Sequence, residues 1–159
     1  MLPLLLIAAQ APVLDPLPRQ WAQFSRVRSL NRVHETVDIG TGEGARGGAF
    51  AYHLRFTRQV PTDHGRAYKT QVRWADSATC PAIRPVMEAM VGITMPRPAP
   101  HGVPGEQTMI VLDGATYRLN VPSSDPVGEM TISSSAGSSL AAWVDRSLEA
   151  LAPCWKAAP

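Results

Sequence analysis

The chain has 159 residues, of which 45% are hydrophobic, and its formal net charge is +2. This length and composition predict one globular domain with a hydrophobic core. The net charge is too small to indicate a nucleic-acid-binding protein. The 15 prolines and 12 glycines predict many turns between short elements.

Residues 1–11 form a short apolar run followed by small residues, a pattern typical of a signal peptide. Cleavage after Ala9 fits this pattern best. No lysine or arginine precedes the run, and a disordered N-terminal tail is the alternative. Residues 12–159 are then predicted to form the single folded domain. No other stretch approaches the ~20 apolar residues of a membrane span, so we expect none in the mature chain.

The domain is predicted to begin with one short helix and a strand. Apolar side chains recur every three positions over residues 20–30, which favours a helix there. Residues 33–39 alternate instead between apolar and polar side chains, as a half-buried strand does.

Residues 50–57 and 68–74 alternate in the same way and flank the turn-like segment 61–65, so they predict a hairpin. Centring that hairpin on Asp63 places three pairs of inward-facing residues opposite one another across the strands. These pairs are Phe56 with Thr70, Leu54 with Val72, and Tyr52 with Trp74. All of these side chains would then share one face, which other elements must cover.

Each block of three predicted strands is followed by a predicted helix, in the first half of the chain and again in the second. Apolar residues at helical spacing predict a helix over residues 83–91, which Gly92 would end. An Asp-Gly turn at its centre predicts a hairpin over residues 108–121, with Ile110 facing Tyr117.

A further strand over residues 129–133 precedes the last helix. Apolar residues recur at helical spacing from Leu140 to Leu151. Ser138 or Ser139 can cap the start of this helix, and Pro153 would end it. The whole pattern predicts a two-layer α+β fold: a mostly antiparallel sheet of about five or six strands, with two or three helices on one face.

The only two cysteines, Cys80 and Cys154, each lie where a predicted helix meets an irregular segment. Behind an apolar N-terminus, such a pair predicts one disulfide in an exported protein. The bond would tie the two covering helices together. Two free buried thiols, acting as small hydrophobic side chains, are the alternative.

The chain lacks the familiar motifs of metal and catalytic sites. It has no HExxH, no CxxC, no GxSxG and no GxxxxGK, and its four histidines have no metal-ligand spacing. We therefore expect no metal and no cofactor. Whether the protein is an enzyme is left open, with a non-catalytic role favoured.

The predicted hairpin places a compact set of positive side chains on its polar face. His53 would lie opposite Arg73, Arg55 opposite Gln71, and Thr57 opposite Lys69. Guanidinium groups in a fixed array suit carboxylates, phosphates and sulfates. The candidate ligand-binding residues are therefore His53, Arg55, Lys69 and Arg73. An ordinary solvated sheet face, whose charges protect against edge pairing, is the alternative.

These features predict a small binding or interaction module in the periplasm or outside the cell. Its partner would be an anionic ligand or an envelope protein, and not a nucleic acid. Two alternatives stay open. One is a small hydrolase or lyase that uses His53 or His101 as a base. The other is a structural component of an envelope complex, which a large exposed apolar patch would favour.

Overall fold

A computed structural model of the protein describes residues 17–42, 50–95, 114–123 and 128–159. The segment 1–11, His101 and residues 108–113 lie outside these ranges. The strands are β1 (Gln20–Arg28), β2 (His34–Gly42), β3 (Ala51–Thr62), β4 (Ala67–Asp76), β5 (Ala115–Pro122) and β6 (Glu129–Ser135). The helices are α1 (Ile83–Ala89) and α2 (Ser139–Leu151).

The six strands form one antiparallel sheet in the order β4-β3-β2-β1-β5-β6. The first four strands follow one another as a meander, and α1 lies between β4 and β5 in the chain. β5 then pairs with the free edge of β1, and β6 adds outside it. The prediction of an α+β fold with an antiparallel sheet is confirmed.

The helix predicted over residues 20–30 is wrong, because this segment is the central strand β1. It pairs with β2 on one side and β5 on the other. Ala22 and Phe24 point into the core, as the two-residue repeat of a strand requires. Of the four apolar residues at three-residue spacing, only Phe24 is buried: Trp21 lies at an irregularity between Gln20 and Ala22, and Leu30 is exposed.

The side of the sheet that carries Phe24 contacts α2 and is called the inner face. The Phe24 ring lies 4.9 Å from the Trp143 ring of α2, edge to face. The Trp143 indole in turn donates a hydrogen bond of 3.1 Å to the Val86 carbonyl of α1. Side chains of both helices therefore join the sheet residues in one core. The opposite side of the sheet is called the outer face.

The other two predicted helices are present, and each is followed by a 3-10 turn that extends to the residue predicted to end it, or beyond it. α1 runs to Ala89 and a 3-10 turn continues to Gly92. At α2, the Ser138 hydroxyl accepts a hydrogen bond from the Ala141 amide at 3.0 Å, which satisfies one of the free amides of the first turn.

The predicted register of the β3–β4 hairpin is wrong by three residues. Phe56 lies opposite Arg73 and Leu54 opposite Ala75, while Trp74 lies opposite Arg55. Because side chains alternate along a strand, an odd shift moves the apolar set of β4 to the outer face.

The turn is the local reason for this shift. Asp63, His64 and Gly65 all have positive φ angles, and pairing runs up to Thr62 and Ala67. The hairpin is therefore centred after His64 instead of on Asp63. Since β4 is an edge strand, its inner positions need not be apolar where the helices leave them exposed.

The hairpin predicted over residues 108–121 falls partly on residues 108–113, which lie outside the described ranges. Its second strand is β5, in which Tyr117 lies between Arg26 of β1 and Ser134 of β6, so both edges of β5 are occupied there.

The disulfide between Cys80 and Cys154 is confirmed, and it joins residues 74 positions apart. It ties the segment before α1 to the 3-10 turn after α2. Directly after it, Lys156 exchanges two backbone hydrogen bonds with Trp74, of 2.8 and 2.9 Å. The C-terminal segment is thus held against the edge of β4. No helix among the described residues is long and apolar enough to cross a membrane.

Candidate functional site

Two rows of polar side chains cross the sheet, one on each face. Because neighbouring strands are in register, residues directly opposite one another line up across the sheet. On the inner face the row, called the inner row, consists of Ser134, Tyr117, Arg26, Glu35, Arg58 and Gln71. On the outer face the row, called the outer row, consists of Thr131, Asn120, Gln23, Asp38, Arg55 and Trp74.

Arg26 is the centre of the inner row. Its guanidinium contacts the Glu35 carboxylate on β2 and the Asp145 carboxylate on α2, each at 2.6 Å. The Tyr117 hydroxyl donates to the second oxygen of Asp145 at 3.0 Å. These contacts hold the middle of α2 against the sheet through charge-assisted hydrogen bonds.

The pKa values of the inner row follow from this network. Burial disfavours the charged form of Arg26, but its hydrogen bonds to Glu35 and Asp145 outweigh burial and raise the pKa of its guanidinium. Burial and the hydrogen bond to Asp145 raise the pKa of the Tyr117 phenol. Arg26 is therefore charged and Tyr117 neutral at physiological pH.

The outer row is hydrogen-bonded from strand to strand. Asp38 is only 4% exposed. Arg55 donates to one of its oxygens through Nε and Nη2, at 3.0 and 2.9 Å, and Gln23 donates to the other at 2.7 Å. The Arg55 guanidinium also lies 6.0 Å from the centre of the Trp74 ring. Every charge in this row has a close partner.

The inner row ends differently, because it opens into a cleft of about 510 Å³ between α2 and the β3–β4 hairpin. The cleft is lined by Arg26, Glu35, Phe56, Arg58, Gln71, Arg73, Asp145, Leu148, Glu149, Ala152 and Trp155. Glu35 is 7% exposed, and Arg26 occupies only one of its oxygens at close range. The other oxygen has Arg58 at 3.8 Å, beyond hydrogen-bond distance.

Three cations surround Gln71 on this side of the hairpin, and they are called the basic rim: Arg58, Lys69 and Arg73. Arg58 lies directly opposite Gln71, and Lys69 and Arg73 flank it along β4. Among the described residues, neither Lys69 nor Arg73 forms an ion pair. With its amide oxygen turned toward Arg73, Gln71 accepts from Nη2 at 2.9 Å.

An apolar patch adjoins the basic rim. The rings of Phe56 and Trp155 stack with centroids 5.1 Å apart and an interplanar angle of 22°. Trp155 directly follows the disulfide-bonded Cys154. Leu148 of α2 and Ala152 complete the patch. The cleft thus combines exposed positive groups with a ring surface.

The structure separates the four residues predicted to bind a ligand. Lys69 and Arg73 lie on the inner face, while His53 and Arg55 lie on the outer face. The shared positive face assumed for them is wrong, because the register differs by an odd number of residues. Ligand binding itself stays a prediction. A hydrolase or lyase based on a histidine, and an envelope component, likewise stay untested.

Sequence reasoning missed Arg58, Phe56, Trp155 and Glu149 as members of one site. Arg58 and Phe56 are next-but-one neighbours on β3, so the alternation of that strand could have placed them on one face. No local signal connects them with Glu149 or Trp155, because α2 and the tail reach the cleft only through tertiary packing.

A second open groove lies at the opposite end of the inner face, near Trp21, Phe50 and Tyr52. Its charged lining residues are only Arg19 and Glu129, whereas the cleft is lined by three arginines, Arg26, Arg58 and Arg73, and by three acidic residues, Glu35, Asp145 and Glu149. Within the described ranges, no cluster of three or more His, Cys, Asp or Glu side chains could hold a metal ion. The cleft beside the basic rim is therefore the stronger candidate site.

No protein-family model matches this chain, and neither the curated proteins nor the solved structures contain a significant match.

Proposed function

We propose that this protein is a non-catalytic binding module that holds an anionic group in the cleft between α2 and the β3–β4 hairpin. The anion, a carboxylate, phosphate or sulfate, is bound by Arg58 and Arg73, with Lys69 adding positive charge at the mouth. The protein acts in the periplasm or outside the cell, and both helices cover the inner face behind the site.

The observation that carries this proposal is the unequal pairing of charges around the cleft. Arg26 already has two close carboxylates, so it is not free for a ligand. Among the described residues, Arg58 has one carboxylate at 3.8 Å, and the amide of Gln71 is the hydrogen-bond partner of the Arg73 guanidinium. Such guanidinium groups are ready to bind a planar oxyanion with two parallel hydrogen bonds.

The surroundings favour a preformed site. The ion pairs of Arg26 hold α2 against the sheet, so the helix and the strands that form the cleft walls keep their positions before a ligand arrives. Preorganised groups lose little conformational entropy on binding. The disulfide between Cys80 and Cys154 supports an oxidising compartment, where such bonds persist.

Titration of the isotope-labelled protein with phosphate, sulfate and acetate tests the proposal by NMR at low ionic strength. We expect binding that weakens with added salt. Replacing both Arg58 and Arg73 by Gln should weaken it at least tenfold. Arg118→Gln is the matched control, since Arg118 is an exposed arginine on β5 that does not line the cleft. Its affinity should stay within twofold of the unmodified protein.

Two results would overturn the proposal. One is equal binding by the double variant and the unmodified protein. The other is no binding of any of the three anions. For the compartment, the intact mass of protein expressed with its own N-terminus should show loss of residues 1–9 and a gain of two hydrogens on reduction. A full-length, reduced chain would contradict export.

A further inference from the structure

We propose that the ligand of this cleft is a small aromatic acid, that is, a planar ring that carries a carboxylate. This inference rests on the proposed function above and adds the rest of the molecule to its anionic group. The carboxylate would lie between Arg58 and Arg73, and the ring would lie against Trp155.

The position of Arg73 is the first argument. Arg73 lies directly opposite Phe56 across the β3–β4 pair, and Arg58 lies two residues from Phe56 on the same face. The two guanidinium groups are therefore immediate neighbours of the apolar patch. An anion held between them has an apolar ring surface beside it on one side.

The size of the apolar patch is the second argument. It consists of Phe56, Leu148, Ala152 and Trp155, and the other lining groups are Arg26, Glu35, Arg58, Gln71, Arg73, Asp145 and Glu149. A single ring fits such a patch, whereas a long alkyl chain would run on to charged side chains. Placing methylene groups against those charges would remove water from them without replacing its hydrogen bonds.

The ring surface is the third argument. Phe56 is 9% exposed and stacks under Trp155, which is half-buried and lines the cleft. Trp155 therefore offers aromatic surface to a ligand. Offset stacking between aromatic rings contributes more than the burial of their area alone. The cleft volume of about 510 Å³ is also in the range of sites for small molecules.

Glu149 sets the orientation. It lines the cleft from α2, opposite the strands, and no ion pair of Glu149 is present among the described residues. Its negative charge repels a second carboxylate on that wall. The acid group is therefore directed to the strand side and the ring toward the helix side, which also disfavours ligands with two separated acid groups.

The test compares four probes of defined chemistry on the full chain: acetate, benzoate, octanoate and phenyltrimethylammonium. The chain has four tryptophans, so their indole N–H signals are few, and Trp155→Phe identifies that of Trp155. We expect benzoate to bind at least fivefold more tightly than acetate, and to bind more tightly than octanoate and phenyltrimethylammonium. It should shift the Trp155 signal most.

Variants separate the two parts of the ligand. Trp155→Ala should remove the advantage of benzoate over acetate while acetate affinity stays within twofold, and Trp155→Phe should keep most of that advantage. If the C-terminal segment is displaced in the Trp155→Ala variant, Leu148→Ala provides the same test, because it removes apolar surface of the cleft from α2 instead. Arg73→Gln should weaken benzoate and acetate alike.

Each contrary outcome has its own meaning. Equal affinity for acetate and benzoate, or tighter binding of octanoate, would overturn the aromatic acid but leave the anion site standing. Binding of phenyltrimethylammonium as tight as that of benzoate would overturn the role of the arginines, and with it both proposals. Failure of every probe would also overturn both.

Discussion

Glu35 and Asp38 lie three residues apart on the same strand, both are buried, and each is paired with an arginine, yet their surroundings differ. Asp38 has close donors on both oxygens, from Arg55 and Gln23. Glu35 has close donors on one oxygen only, and its other side opens into the cleft. Both oxygens of Asp38 are thus satisfied within the fold, whereas the second oxygen of Glu35 has only the more distant Arg58, and the proposed anion site rests on this difference.

The reason for this difference is what lies above each row. The outer row has the Arg55 guanidinium and the Trp74 ring at its end, and the chain at Pro18 passes close over Gly40, where any side chain would collide with the Pro18 carbonyl. The inner row has α2 above Arg26, but within the described ranges no helix lies in the same way above Arg58 or Arg73. The helix ends before the edge strand, and that gap is the cleft.

The largest expected effect comes from removing the disulfide, which holds in place the C-terminal segment that contributes Trp155 to the cleft. Replacing both Cys80 and Cys154 by Ala should lower the free energy of unfolding by about 4 kcal/mol, because it frees a long loop in the unfolded chain. Urea denaturation measures this loss. In the folded variant, the Trp155 indole signal should move while signals of the outer row stay in place. Unchanged stability would show that packing alone holds the tail.

The next effect compares the two rows directly. Arg55→Ala leaves Asp38 buried without its charged partner and should lower the free energy of unfolding by about 3 kcal/mol. Arg73→Ala removes an exposed cation without an ion pair and should change it by less than about 0.5 kcal/mol. Denaturant midpoints of the two variants measure the contrast. Equal losses would contradict the assignment of the outer row to stability and the basic rim to binding.

Glu35→Gln should affect stability and binding in opposite directions. The substitution removes the negative charge that faces Arg26, while the ion pair between Arg26 and Asp145 remains. It should therefore lower the free energy of unfolding by about 1.5 kcal/mol. The cleft then gains one net positive charge, so its affinity for phosphate should rise severalfold. Calorimetric titration of both proteins measures this change. Weaker phosphate binding would mean that Glu35 positions Arg58 for the ligand.

The smallest effect is a pH dependence outside both rows. Hydrogen bonds from the Thr79 hydroxyl and from the Thr79 and Ala78 amides, with the charge of Lys156, outweigh burial and lower the pKa of the Asp76 carboxyl. Its contribution to stability is present at neutral pH and is lost as the pH falls through the lowered pKa, below about 4. Asp76→Asn should therefore flatten the acid side of the stability profile. An unchanged acid limb would contradict this role.

The helices were predictable from the sequence because their signals are local. A helical stripe from Leu140 to Leu151, a serine before it and a proline after it are enough to bound α2, and Gly92 marks the end of the first helical segment in the same way. The strand β2 and the existence of the β3–β4 hairpin also follow from alternation alone.

The disulfide was predictable for a different reason. With only two cysteines and an apolar N-terminus, one pairing was possible, and the structure contains it. The candidate site was predictable only in part. Lys69 and Arg73 were named, but they were grouped with His53 and Arg55, which lie on the other face.

The sequence by itself determined the positions of α1 and α2, that the sheet is antiparallel, and that Cys80 and Cys154 can form a disulfide. Only the tertiary structure decided that residues 20–28 are a strand, because two neighbouring strands on its edges outweigh an ambiguous local pattern. It also decided the hairpin register, since three positive φ angles in the turn change which residues face one another. An odd shift of register reverses the face of every side chain on β4, so the position of the cleft depends on the conformation of this turn, which the alternation of the strands does not show.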